Sequence, residues 1–130
     1  MAVCQRLNRP FLSCSLLMLF AVAGCSDRVS SKELKTQLKR KNGPMIIDVR
    51  SHAEYQHGHV PKAIHIPFWA VILRRQQIVT SEEAPAVIYC ESGGRAVLAK
   101  GLLSLVGIKP IQLLDGHMMT WRRNGFPLER

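Results

Sequence analysis

Acidic residues, aromatics and cysteines are all scarce in this chain of 130 residues. Nine Asp and Glu face 18 Lys and Arg, a formal charge of +9, so the partners to consider are nucleic acid, an anionic membrane surface or small anions. Two Trp, two Tyr and four Phe are too few, and too little interleaved with the basic residues, to form a stacking platform for single strands. Nucleic acid is therefore not an expected partner. No internal repeat or low-complexity segment is present, which excludes solenoid and fibrous architectures. No apolar run reaches the roughly 20 residues of a spanning helix. With 47% hydrophobic and 21% charged residues, the chain has the composition of one ordinary globular domain.

The first residues do not belong to that domain. Arg6 and Arg9 make a cationic start with no acid before Asp27, and Phe11 to Gly24 is apolar except at Ser13, Cys14 and Ser15. These are the parts of a secretory signal. Fourteen helical residues reach about 21 Å, short of a hydrocarbon core of roughly 30 Å, so a stable span is the weaker reading. Val22-Ala23-Gly24-Cys25 resembles the bacterial lipobox, in which small residues precede a cysteine that is lipidated and becomes the first residue. The alternative is an ordinary cleavage site with a chance cysteine. Residues 1–24 are accordingly expected to be a lipoprotein signal peptide, 25–30 a lipid-anchored flexible tether and 31–130 the folded domain. The expected location is the bacterial cell envelope, facing the periplasm and held by acyl chains on Cys25. Removing 24 residues with two arginines and no acid leaves 106 residues and a charge of +7. It also leaves one thiol, Cys90, in a compartment where cysteines usually form disulfides.

Beyond the tether, Ser30 with Glu33 forms a capping box that opens a helix to about Lys41, with Leu34 and Leu38 facing inward. Its outer face carries Lys32, Lys35, Lys39, Arg40 and Lys41, either a solvated face or one attracted to anionic head groups. Met45 to Val49 and Ala86 to Tyr89 are short apolar runs suited to strands buried on both sides. Ser51 with Glu54 caps a short helix, Ala63 to Ile66 is a small strand, and Phe68 to about Gln77 is expected to be helical. A helix from about Arg95 to Val106, a strand at Ile111 to Leu114 and a helix from Gly116 to Asn124 complete the chain. Strands alternating with helices predict an α/β fold: a parallel sheet with helices on both faces.

Chemistry concentrates where Ala86 to Tyr89 ends and Cys90-Glu91-Ser92-Gly93-Gly94-Arg95 begins. A lone cysteine is more commonly an inert core residue. Here, however, it stands at the carboxyl end of a buried strand, where open α/β sheets bind ligands. The glycines allow successive N–H groups to turn inward as an anion nest, and the helix N-terminus adds its positive end. Both favour a thiolate nucleophile that needs no histidine partner. Arg95 can curl back over the loop to hold an anionic substrate. Asp48, at the end of the other central strand, is a candidate partner for Arg95 or a cap for the loop. Arg50 is placed to line the entrance or to pair with Glu54. No metal-ligand spacing joins Cys90 to His52, His57 or His65, so neither metal nor cofactor is expected. Met118 and Met119 are read as helix packing.

At these residues the chain resembles the rhodanese family of sulfurtransferases. The likeness runs from about Ser30 to Glu129, through Asp48-Val49-Arg50, Gly58-His59-Val60-Pro61, Val87 to Ala96 and Leu114-Asp115-Gly116. It implies a rhodanese-like parallel sheet and a ping-pong reaction in which Cys90 takes sulfur from a small anionic donor such as thiosulfate. The resulting persulfide would then give that sulfur to cyanide or a thiol. It further implies that the loop from Glu91 through Ser92, Gly93 and Gly94 to Arg95 binds the donor, with His59 belonging to a turn. Four residues separate Cys90 from Arg95. Cysteine-dependent phosphatases resemble a loop with five, wide enough for tetrahedral phosphate, so phosphatase or arsenate reductase activity is the lesser alternative. A catalytically silent binding module is another, disfavoured by the presence of Cys90. Two positions depart from the family pattern: His117 stands where a second glycine is usual, and Glu91 puts an acid beside the nucleophile.

Overall fold

The computed structural model describes residues 26–130; the signal segment and Cys25 lie outside the described residues. Five strands form one parallel sheet: β1 (Arg28–Val29), β2 (Ile46–Asp48), β3 (Ile64–His65), β4 (Ala86–Tyr89) and β5 (Ile111–Leu114). Their spatial order is β1-β5-β4-β2-β3. The helices are α1 (Ser31–Gln37), α2 (His52–Gln56), α3 (Gly94–Leu105) and α4 (His117–Arg123).

Strand alternation divides the core in two. Along β4, Ala86 and Ile88, with Cys90 beyond them, join a cluster closed by Ala96, Ala99 and Leu103 of α3. Val87 and Tyr89 join the opposite cluster, closed by Leu34 of α1 and by Met118 and Trp121 of α4. The central strands are therefore apolar on both sides, and each fully buried Ile or Val there contributes about 1.5–3 kcal/mol. The expected sheet with helices on both faces is what the chain forms.

Three expectations need correction. Arg28–Val29 is not free tether. It pairs in parallel with Leu113 and Leu114, and Val29 is buried; two residues are too few for periodicity to reveal a strand. α1 ends at Gln37 rather than near Lys41, because Lys39 and Arg40 donate to Thr36 and Gln37, three residues back, and so tighten the last turn. The stretch from Phe68 to Gln77 is two 3-10 turns, Phe68–Ala70 and Arg75–Gln77, rather than one helix. Phe68 N–H is committed to Val49 O at 3.0 Å and the Arg74 guanidinium to His65 O at 3.0 Å. Both anchors hold the segment to the sheet edge, and β-branched Val71 and Ile72 add little helical preference against them.

The remaining boundaries follow local chemistry. Ser51 Oγ accepts Glu54 N–H at 3.3 Å while Glu54 Oε2 accepts Ser51 N–H at 2.9 Å, the capping box of α2. Only half of the box expected for α1 is formed: Ser30 Oγ accepts Glu33 N–H at 3.1 Å, whereas the Glu33 carboxylate accepts from Gln37. At the other end of the chain Glu129 and His59 exchange backbone hydrogen bonds of 2.9 and 3.0 Å, which ties the tail to the Gly58-His59 turn.

Candidate active site

Cys90 follows β4 directly and is 1% exposed. Its Sγ accepts Gly93 N–H at 3.0 Å, so the loop folds back on its own sulfur, with one N–H of the expected nest on it. Gly93 has φ +129°, and a Cβ there would stand 3.0 Å from His117 Nε2. The backbone conformation thus calls for glycine, and the His117 ring leaves little room for a side chain. α3 begins at Gly94 and points its N-terminus at this loop. Ser92 and Gly94 are exposed.

The loop is held from behind by the start of α4. Met118 N–H donates to Cys90 O at 3.1 Å and Met119 N–H to Glu91 O at 3.2 Å, which satisfies two of the orphan donors of that helix. His117 completes the set by accepting Cys90 N–H on Nδ1 at 3.3 Å. Its ring is buried, at φ +50°. Burial, followed by the charge of Arg28, lowers its pKa from the usual 6.5 against a smaller opposing effect of Asp115. A neutral imidazole that accepts on Nδ1 carries its proton on Nε2, the atom that faces Gly93. Sequence reasoning marked His117 only as a departure from a pattern. Its partnership with Cys90 depends on the turn at Gly116, where φ is +67°.

The charged residues pair differently from expectation. Asp48 is fully buried and meets Arg50, not Arg95: Arg50 Nη2 lies 2.7 Å from Asp48 Oδ2, and Arg50 N–H donates to Oδ1 at 2.9 Å. Arg50, 1% exposed, does not pair with Glu54. It donates instead to Gly58 O at 2.8 Å and to Glu91 Oε2 at 3.2 Å. Burial alone would lower the pKa of Arg50, but the Asp48 carboxylate more than offsets this and holds it raised. Arg95 does not curl over the loop. It makes a two-pronged pair with Glu54 at 2.8 and 2.9 Å, with both side chains about one-third exposed. The Arg95 hydrogen bond is the main cause holding the Glu54 carboxyl far below its usual range.

Glu91 lies between Arg50 and Arg122, with hydrogen bonds to both. Two guanidinium groups thus share the carboxylate that stands next to Cys90 in the chain. Arg50, Ala53, Glu54, His57, Glu91 and Arg122 together line a cleft beside the loop. Three arginines near Cys90 thus face three carboxylates.

Tyr89 is a site residue that sequence reasoning left as plain strand. Its hydroxyl donates to Asp48 Oδ2 at 2.8 Å and accepts Val60 N–H at 3.0 Å. Burial and then Asp48 raise its pKa strongly. The available signal was register: Asp48 and Tyr89 are partners across β2 and β4, so their side chains share a face. His65 also supports the loop after β2, its Nε2 lying 2.9 Å from Arg50 O. Met118 is buried as expected, whereas the Met119 side chain is exposed.

A parallel α/β sheet with one free thiol among the described residues, buried under a glycine turn at a strand's carboxyl end, defines a class of α/β domains with a cysteine loop between a central strand and a helix. Within that class the assignment is specific. The rhodanese-like domain profile matches residues 30–124, and the chain belongs to the rhodanese-like family. A sulfurtransferase of Allochromatium vinosum is 28% identical over 102 residues, 78% of this chain and 94% of that one. The chloroplastic rhodanese-like domain-containing protein 14 of Arabidopsis thaliana is 26% identical, covering 78% of this chain and 66% of that one. The crystal structure of thiosulfate sulfurtransferase from Pseudomonas aeruginosa superposes with a TM-score of 0.71 at 23% identity. That match spans 81% of this chain but 20% of the other, and shows the shared fold.

Proposed function

We propose that the protein is a lipid-anchored sulfurtransferase that carries sulfane sulfur as a persulfide on Cys90. The observation that carries this reading is the Sγ of Cys90 under the Gly93 N–H at the head of α3. In the first half-reaction the Cys90 thiolate attacks the outer sulfur of thiosulfate. A Cys90–sulfur bond forms, the donor's S–S bond breaks, and sulfite leaves with the electron pair. In the second, cyanide or a thiolate attacks the outer sulfur of the persulfide, and Cys90 departs as thiolate with the electrons of that bond. The loop N–H groups from Glu91 to Arg95 stabilise the anionic species in each half. Because Cys90 is almost wholly covered, the incoming donor must displace part of the loop.

Pairing of the three arginines gives a second donor a specific claim. A site whose guanidinium groups already face carboxylates holds a doubly charged anion less firmly than an unpaired cluster would, and a low-molecular-weight persulfide carries less charge at its reacting end. The alternative of a persulfide-carrier module, charged by such a donor, therefore stays beside thiosulfate.

The test is mass analysis of the purified protein after incubation with thiosulfate, and in parallel with glutathione persulfide. A gain of one sulfur on Cys90, lost on adding cyanide and absent in Cys90→Ser, is the expected result. Uptake from persulfide alone would remove thiosulfate as donor, and uptake from neither would overturn sulfur transfer. Attachment through Cys25, facing the periplasm, is checked by labelled palmitate. Incorporation should disappear in Cys25→Ala, and unchanged incorporation would refute the lipobox.

A further inference from the structure

α3 is apolar on both sides. The side toward β4 and β5 buries Ala96, Ala99 and Leu103, as a helix covering a sheet must. The opposite side exposes Val97, Leu98, Leu102 and Leu105, the last at 85%. Trp69, 77% exposed, and Leu73, 78% exposed, are further uncovered apolar side chains of the segment whose first turn, Phe68–Ala70, packs against α3. No acidic residue occurs from Gly94 to Leu105. A helix whose outer face is apolar as well as its inner one is ordinarily covered by something, and solvent is a poor occupant for this face.

Position in the chain indicates the occupant. Lys100 Nζ donates to Asp27 Oδ1 at 2.6 Å, and Gln112 Nε2 donates to Ser26 O at 2.7 Å. The chain at residues 26 and 27 therefore lies against the flank of α3 and against β5. Cys25 precedes Asp27 by two residues, about 7 Å of extended chain, so acyl chains on Cys25 would bring a bilayer within roughly one helix diameter of this face. We propose that the exposed face of α3, with Trp69 and Leu73, lies in the interface of the phospholipid membrane that holds the anchor. The inference rests on the acylation of Cys25 proposed above and is independent of the sulfur chemistry.

The composition fits that occupant. Trp is at home at head-group depth, and Leu and Val at the acyl boundary. The orientation also sorts the basic residues. Leu34 of α1 belongs to the cluster on the other side of the sheet from α3, so Lys32 and Lys39, both exposed, lie away from this face, and Lys35 is engaged over the Phe126 ring at 4.4 Å.

The test uses the full chain, purified from bacterial membranes and reconstituted in vesicles of phosphatidylglycerol and phosphatidylcholine with brominated acyl chains. Trp121 is fully buried and serves as the unquenched reference. Trp69 emission should shift to the blue and lose most of its intensity, with bromines near the top of the chain acting best. The effect should vanish in Trp69→Phe and in the double variant Leu98→Glu/Leu105→Glu. That variant should keep its circular dichroism and still sediment with the vesicles through the anchor. Sedimentation of the wild type without quenching would overturn the inference and leave the anchor standing. Quenching replaced by a cross-linked dimer would give the face to a second copy and overturn it as well. Failure to sediment would remove the anchor, and the inference with it.

Discussion

The loop after β2 and the loop after β4 leave the same edge of the sheet, yet the first is fixed by its own side chains and the second by its neighbours. Between Asp48 and Glu54 the chain holds the Asp48–Arg50 pair and the Ser51/Glu54 capping box within seven residues. Between Cys90 and Arg95 the sulfur meets one loop N–H, from Gly93. The remaining support arrives from outside, through His117 and the amides of Met118 and Met119 behind, Arg50 and Arg122 on Glu91, and Glu54 on Arg95. A loop that must admit a donor cannot fill its own interior with side chains. Its shape is lent by a rigid surround, and it can yield without the sheet yielding.

The sharpest way to break this contrast is Asp48→Ala. It strands a buried guanidinium and the hydroxyl of Tyr89, and should cost about 3–5 kcal/mol in urea unfolding. A cost near that of a surface pair would mean that the first loop is no scaffold. His117→Gly comes next. Loss of the acceptor for Cys90 N–H costs about 1–3 kcal/mol, and relief of the positive φ returns about 1 kcal/mol. The expected net loss is about 1 kcal/mol, with slower charging of Cys90 by its sulfur donor that exogenous imidazole partly restores. Unchanged charging would show that the loop does not depend on this ring.

The same residue makes a pH prediction. The folded-state pKa of His117 lies below its usual 6.5. As pH falls below that value the unfolded chain takes up a proton that the folded protein refuses, and stability declines. Denaturant midpoints measured between pH 7 and 5 should fall, and fall less in His117→Gly. Glu54 acts lower on the scale. Its folded-state value is depressed from 4.5, so its contribution is present above that pH and fades below it as the unfolded carboxyl protonates while the folded one stays ionised. Since the pair with Arg95 is about one-third exposed, Glu54→Gln at pH 7 should cost only about 0.5 kcal/mol. The smallest effect is Glu91→Gln, which frees part of the charge of Arg50 and Arg122. With thiosulfate, the donor proposed above, KM should drop about twofold at low salt, the size of a partly exposed pair, and less at high salt.

The sheet was legible because β2, β4 and β5 are short apolar runs between turn signals, and because Cys90 stands directly where one of them ends. Helix starts were legible at Ser30 and Ser51, where capping chemistry is local. The pairing of charges was not. Four polar residues, Asp48, Arg50, Glu54 and Arg95, admit more than one set of partners. Only the register of β2 against β4, with the turn that brings Gly58 over Arg50, selects Asp48 with Arg50 and Glu54 with Arg95. His117 was opaque for a related reason: a residue after a glycine turn acquires its direction from a backbone angle that sequence does not display. β1 and the 3-10 turns failed on length, since two or three residues carry no period.

Mechanically, β1 is the first part of the fold that a pull on residue 25 would reach. Leu113 N–H on Asp27 O at 3.0 Å and Asp115 N–H on Val29 O at 2.8 Å run across the strand, with Lys100 gripping Asp27 beside them. A force along β1 loads these bonds together, in shear, whereas a force across the sheet would peel them one at a time. Under the attachment proposed for Cys25, the domain would therefore resist a pull best when that pull runs in line with its first strand.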